Sequence, residues 1–247
     1  MAATVALVAG GCIDFHPVAP TTEEPGDAEE VAFLNVGVGV LICPACEGAP
    51  PEAVRVAGSG REGRDEVGRP RLDFSLPIDV NSVEIWGDER DGHVGFNTTI
   101  TGEEAEAILA PGTVTVYLPL LADVFPDLTR TRWSPLLAPR AWPEEIERRA
   151  GVALPMSTGG SDGVSEEWWS VSIRSAGGWT LQLSRPGPAP DTLRLSPEML
   201  PPAPDSLVVV EVHAAGRMEG GAEDVFARLY FDSWVRHEFR LFDPGED

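Results

Sequence analysis

The feature that most constrains this chain is a two-residue hydrophobic rhythm that runs from Val31 almost to the C-terminus. Val114, Val116 and Leu118 alternate with Thr113, Thr115 and Tyr117. The same rhythm carries Leu72, Phe74 and Leu76, then Val94, Phe96 and Ile100, and later Val208, Val210 and Val212. Successive side chains of a strand point to opposite faces, so each run predicts a strand with one buried face. Gly, Pro, Asp and Ser cluster between the runs, where turns are needed. With 26 Gly and 23 Pro, the two make up about a fifth of 247 residues. That is below the roughly 25–30% typical of low-complexity chains. Many short strands punctuated in this way predict antiparallel sandwiches rather than alternating βαβ units.

Two short helices are expected. Pro143–Ala150 has Pro at a first helical position, acids at its start, Arg148 and Arg149 at its end, and Gly151 beyond. Glu103–Leu109 forms a shorter candidate, stopped by Pro111 and Gly112.

Charge narrows the partners. There are 18 basic and 40 acidic residues, a net of −22, and every basic residue is Arg. A nucleic-acid binder needs a basic stripe to displace counterions, so that class is disfavoured. Without Lys, no phosphate-binding loop of the Gly-rich, Lys-containing type can be built. Residues 1–127 hold 22 acids and 6 Arg, whereas residues 128–247 hold 18 acids, 12 Arg and six of the seven Trp. This shift places a boundary in the Pro-broken stretch Phe125–Pro143. The expected organisation is a β-rich domain over 31–127 and a Trp-rich one over 128–247.

Thr192–Gly216 resembles the late strands of immunoglobulin-like and fibronectin type III domains: a strand, a Leu-Pro-Pro turn, then a Val-rich strand ending in Ala. The resemblance implies a mainly β fold of two antiparallel sandwich domains, with Val225–Leu241 as the last strand or hairpin. It implies no chemistry.

The N-terminus carries a different signal. Residues 2–11 are small, uncharged and apolar, too short for a membrane span, and Cys12 follows. Small residues ending in Cys resemble the lipobox of bacterial lipoproteins, which implies export and lipidation at Cys12, with residues 1–12 as the signal segment. Residues 13–30 follow, rich in Pro and acid, and read as a tether.

Several constellations bear on chemistry. Cys43-Pro44-Ala45-Cys46 has the Cys-x-x-Cys spacing of thiol-disulfide proteins, which need a helix start after the first Cys. Here Gly48, Pro50 and Pro51 interrupt at once, so a local disulfide or two idle thiols is the preferred reading. No second Cys pair completes a zinc set, and no metal or cofactor is expected. Asp88–Gly92 gathers three acids but lacks calcium-loop spacing, and reads as a hairpin turn. The acid pairs Glu103-Glu104 and Glu166-Glu167 read as solvated surface. Trp168, Trp169 and Trp179 are candidates for a sugar-binding platform, with Trp169 inward and Trp168 outward by alternation.

The expected function is an exported, lipid-anchored, non-enzymatic envelope protein whose β-domains bind or support a protein or glycan partner. Membrane contact would come through the anchor alone. A carbohydrate-binding module or hydrolase accessory is one alternative, and a thiol-disulfide protein using Cys43 and Cys46 is another.

Overall fold

The computed structural model describes residues 31–44, 52–64, 67–69, 71–156, 164, 166–202, 207–222 and 224–243. Cys12, Cys46 and the expected signal and tether segments lie outside the described residues. The strands are, in chain order, β1 (Ala32–Ile42), β2 (Glu52–Arg61), β3 (Ile78–Val80), β4 (Val83–Ile85), β5 (Asp88–Arg90), β6 (His93–Thr101), β7 (Val114–Tyr117) and β8 (Arg130–Trp133). They continue as β9 (Glu145–Glu147), β10 (Val152–Pro155), β11 (Glu166–Ser175), β12 (Thr180–Pro186), β13 (Thr192–Leu195), β14 (Leu207–Ala222) and β15 (Val225–Phe242). Two short helices, α1 (Glu103–Leu109) and α2 (Pro126–Thr129), lie between β6 and β8.

The fold is mainly β, and one large sheet organises it. Its order is β12-β11-β14-β15-β1-β2-β6-β5, with β9 added beside β15. Neighbours are antiparallel except at two places: β1 and β9 both run parallel to β15. A four-stranded sheet, β4-β3-β7-β8, and a two-stranded one, β10-β13, complete the set. The boundary expected at 127/128 does not divide the large sheet, because β1 and β2 from one half are continuous with β14 and β15 from the other. One hydrophobic cluster likewise draws on both halves, from Val36 and Ile78 to Ile173 and Phe239.

The rhythm explains which face is buried. Val36, Val38 and Val40 of β1, Val208, Val210 and Val212 of β14, and Leu229, Phe231 and Val235 of β15 all point into this core. Against it pack Ile78, Val80, Val114 and Val116 of the four-stranded sheet, Leu154 and Leu195 of the two-stranded one, and Ile108 of α1. Gly58 allows close strand contact: a Cβ there would collide with the Asn35 carbonyl on β1.

Two local expectations changed. The segment expected as a helix, Pro143–Ala150, instead holds the strand β9 followed by a turn. Ile146 is its one large apolar side chain, so a helix would have had no apolar stripe to bury. As a strand it places Ile146 in the core beside Leu241. Gly151 still adopts the left-handed conformation, ending a turn after β9 (φ 70°). Arg148 reaches Asp243 with paired hydrogen bonds of 3.2 and 2.8 Å, which hold that carboxyl below the usual carboxylate range. Second, Leu72–Leu76 is not a strand. Asp73 accepts the Ser75 backbone N–H in a tight turn, while Leu72 and Phe74 cover the core and Leu76 is exposed. The strands that carry the immunoglobulin-like resemblance, β13 and β14, belong to different sheets, as consecutive late strands of a sandwich do. Glu103–Leu109 is α1, and Asp91 and Gly92, both at positive φ, make the two-residue turn between β5 and β6.

His237 is a titratable side chain set among core aromatics. Its ring lies 4.8 Å from Phe239 and 5.9 Å from Trp142. Burial pushes its pKa below the ordinary 6.5, and the Pro143 carbonyl, Glu238 and Glu144 only partly oppose this. As pH falls through 6.5 the unfolded chain takes up a proton that the folded one resists, so stability complete above that pH is lost below it. Chemical denaturation between pH 8 and 5 should show this loss, and His237→Phe should flatten it. The close strand contact predicts that Gly58→Ala costs about 1–3 kcal/mol of stability in the same assay, as overpacking does.

Candidate functional site

Strand parity assigns the other face of the large sheet residue by residue. β14 contributes Glu211, His213, Ala215, Arg217 and Glu219, and β15 contributes Arg228, Tyr230, Asp232, Trp234 and Arg236. β1 and β2 supply a stretch of small residues where Gly37 lies opposite Ala57, and beside it Gly39 faces Arg55. β11 and β12 add Trp168, Ser170, Ser172 and Gln182. The apolar cluster on this side is small: Leu41, Cys43 and Ala53, with Trp234 against them.

At the centre lies a buried acid. Asp232 is 3% exposed, and its Oδ1 lies 2.8 Å from His213 Nε2. An ionised carboxylate can only accept, so Nε2 carries the proton and donates. The imidazole stacks on Trp234, centroids 3.9 Å apart and planes 12° from parallel. The pairing follows from register: His213 is opposite Trp234, and Asp232 lies two residues back on the same face. A carboxylate this deep needs a donor to offset its lost hydration, and His213 provides it. On the opposite face the adjacent Ser233 accepts the Leu136 N–H, tying a core-covering loop to the same stretch of β15.

Ser170 is directly opposite His213 on this face. Serine, histidine and aspartate thus occupy three neighbouring strands, the residue types of a nucleophilic triad. The geometry does not fit one. Nε2 is engaged by Asp232, and among the described residues no hydrogen bond joins Ser170 to His213. β11 is paired on both sides, so the N–H groups around Ser170 are engaged in the two ladders. The β11 backbone around Ser170 therefore offers an oxyanion no free N–H group. The arrangement acts as an anchor for the face.

Ion pairs cover the rest. Arg174 and Arg236 both reach Glu211, at 3.2 and 3.8 Å. Arg217 reaches Glu166 and Glu219, while Arg228 bonds Glu219 at 2.6 Å. Arg228 also lies over the rings of Phe226 and Tyr230, and Arg61 lies over Phe33. Taken over all nine strands, this face holds eight of the chain's 18 Arg and eight of its 40 acids. It is electrically balanced in a chain of net −22, whose excess acid lies elsewhere.

The sequence candidates fall differently from a platform. Trp168 is half-buried on this outer face, opposite Ala215. Trp169 and Trp179 pack against the core on the inner face, near opposite ends of the β11–β12 pair. The three do not form one row. Cys43 is 1% exposed and disulfide-bonded. Burial of its sulfur opposes the attack that thiol exchange requires. Among the described residues no three His, Cys, Asp or Glu side chains are grouped to hold a metal ion. Sequence reasoning missed His213 and Asp232, although their parity was available in the Val-rich alternation.

No known family model matches the chain, and no curated protein matches it.

If His213 compensates the buried carboxylate, the two residues must be coupled. Asp232→Ala and His213→Ala should each cost about 1.5–3 kcal/mol, as expected for a hydrogen bond to a charged group. The double variant should cost at least about 1 kcal/mol less than the sum, measured by urea unfolding.

Proposed function

We propose that this protein is an exported, lipid-anchored, non-enzymatic binding protein, and that the outer face of the large sheet is the surface it presents. The charge balance of that face carries the reading. Protein-binding surfaces are enriched in Arg and aromatic residues, and both are gathered here while the excess acid lies elsewhere. Strongly acidic surroundings repel anionic surfaces and leave the balanced face as the least unfavourable place to dock. The anchor half of the proposal rests on the lipobox-like approach to Cys12, with residues 13–30 as the spacer. Among the described residues no helix is long and apolar enough to cross a membrane.

A glycan partner draws less support, because Trp169 and Trp179 are committed to the core. A thiol-disulfide role draws less again, because Cys43 is buried.

The two halves are tested separately. In cells, Cys12→Ser should move the protein from the detergent phase to the aqueous phase and abolish incorporation of labelled fatty acid. Unchanged partitioning would refute the anchor. A photo-crosslinking residue at Asn97 or Gln182, both exposed on the outer face, should give discrete adducts that the same residue at Glu104 of α1 does not. Equal labelling from both faces would refute the docking surface.

A further inference from the structure

A cleft of about 340 Å³ opens on the other side of the molecule, between the C-terminal end of α1, the end of β1 and the turn at Pro139. The volume sits at the lower end of the range for small-molecule sites. Its apolar walls are Ile42, Leu109, Leu137 and Pro139, with Glu52, Glu106 and Arg140 as its charged lining. One carboxylate looks into this apolar space. Glu52 has a side chain only 14% exposed, and Arg140 Nη2 meets its Oε1 at 2.6 Å. Arg140 itself is 77% exposed. The acid therefore belongs to the cleft, whereas its counter-ion reaches in from solvent. Glu106 stands at the rim and adds a second negative charge.

Three physical facts converge on one class of ligand. A largely buried carboxylate needs a charged or hydrogen-bonding partner beside it, and at Glu52 that partner is a cation. An exposed arginine that supplies one contributes little to stability and is readily displaced. A chain of net −22 concentrates cations around itself and repels anions. We propose that the cleft binds small amphipathic cations: a ring-sized apolar body bearing one ammonium group. The ammonium replaces Arg140 on Glu52, and the body covers Leu109 and Leu137. This site shares no residue with the outer face of the sheet, so its failure would leave the docking surface untouched.

Calorimetric titration of the full chain with cyclohexylmethylammonium, and with the neutral cyclohexylmethanol as its isostere, tests the proposal. At low salt the ammonium should bind about tenfold tighter than the alcohol, a difference of about 1.4 kcal/mol. Glu52→Gln should erase that difference. Arg140→Ala should tighten the ammonium several-fold and leave the alcohol unchanged, because the competing guanidinium is gone. Ala110→Trp, at a rim position with helical backbone, should fill the cleft and weaken both. Equal affinity for the two probes would overturn the proposal, and so would an unaffected Glu52→Gln. A weaker ammonium complex in Arg140→Ala would overturn it as well. Arg140 lies at the surface, so its variant keeps the test decisive even if Glu52→Gln unfolds.

Discussion

Eleven residues of β1 lie parallel to β15 in unbroken register, and the rest of the molecule is built outward from that seam. Parallel partners cannot be joined by a tight turn, so everything between Ile42 and Val225 is in effect one crossover connection. Closing so long a loop is costly in chain entropy, though the cost grows only slowly with length. The return comes from burial. The inner faces of both strands are apolar, and the intervening chain folds back to cover them with two smaller sheets, two short helices and the Leu72–Phe74 turn. The same seam sets the outer face, since Gly37 and Gly39 of β1 lie beside Tyr230 and Asp232 of β15. The stretch of small residues and the large walls of the candidate surface are thus two consequences of one pairing.

That surface and the cleft beyond α1 treat charge in opposite ways. On the sheet, Glu211 and Glu219 are each met by two arginines, Asp232 is met by His213, and Arg228 lies over the rings of Phe226 and Tyr230. Such cross-strand matching fixes side chains and leaves little net field. In the cleft, a single acid is matched by a residue that is almost wholly in solvent. The first arrangement suits a large, shaped partner, where geometry discriminates. The second suits a small cation, where exchange of one counter-ion for another discriminates.

How far the sequence could be read depended on the range of the interaction. Alternation located β6, β7 and β14 because each has one apolar face, and period two is a local property. It also separated Trp168 from Trp169 by parity. Local signals misled where end residues outvoted the interior: Pro143 and Arg149 mark helix ends, yet only Ile146 between them seeks the core. Alternation likewise suggested a strand at Leu72–Leu76, where a turn buries the same two side chains. The compositional shift near residue 128 is real in the sequence, but composition carries no information on which strands pair. The parallel seam joins residues nearly two hundred positions apart, and no window of the chain contains it. The contact between His213 and Asp232 was hidden for the same reason. Each residue's face was legible, but the β14–β15 register that makes them neighbours was not. The cleft needed three separate segments and left no local trace.

The place of β15 in the chain also fixes when the fold can exist. Synthesis delivers β1 first and β15 last, yet β15 is the strand both halves of the large sheet must flank. Until its residues emerge, β1 has only β2 beside it, β14 has only β11, and the core has no centre. Topologies dominated by distant contacts assemble slowly. The large sheet is therefore complete only once β15 lies between β14 and β1.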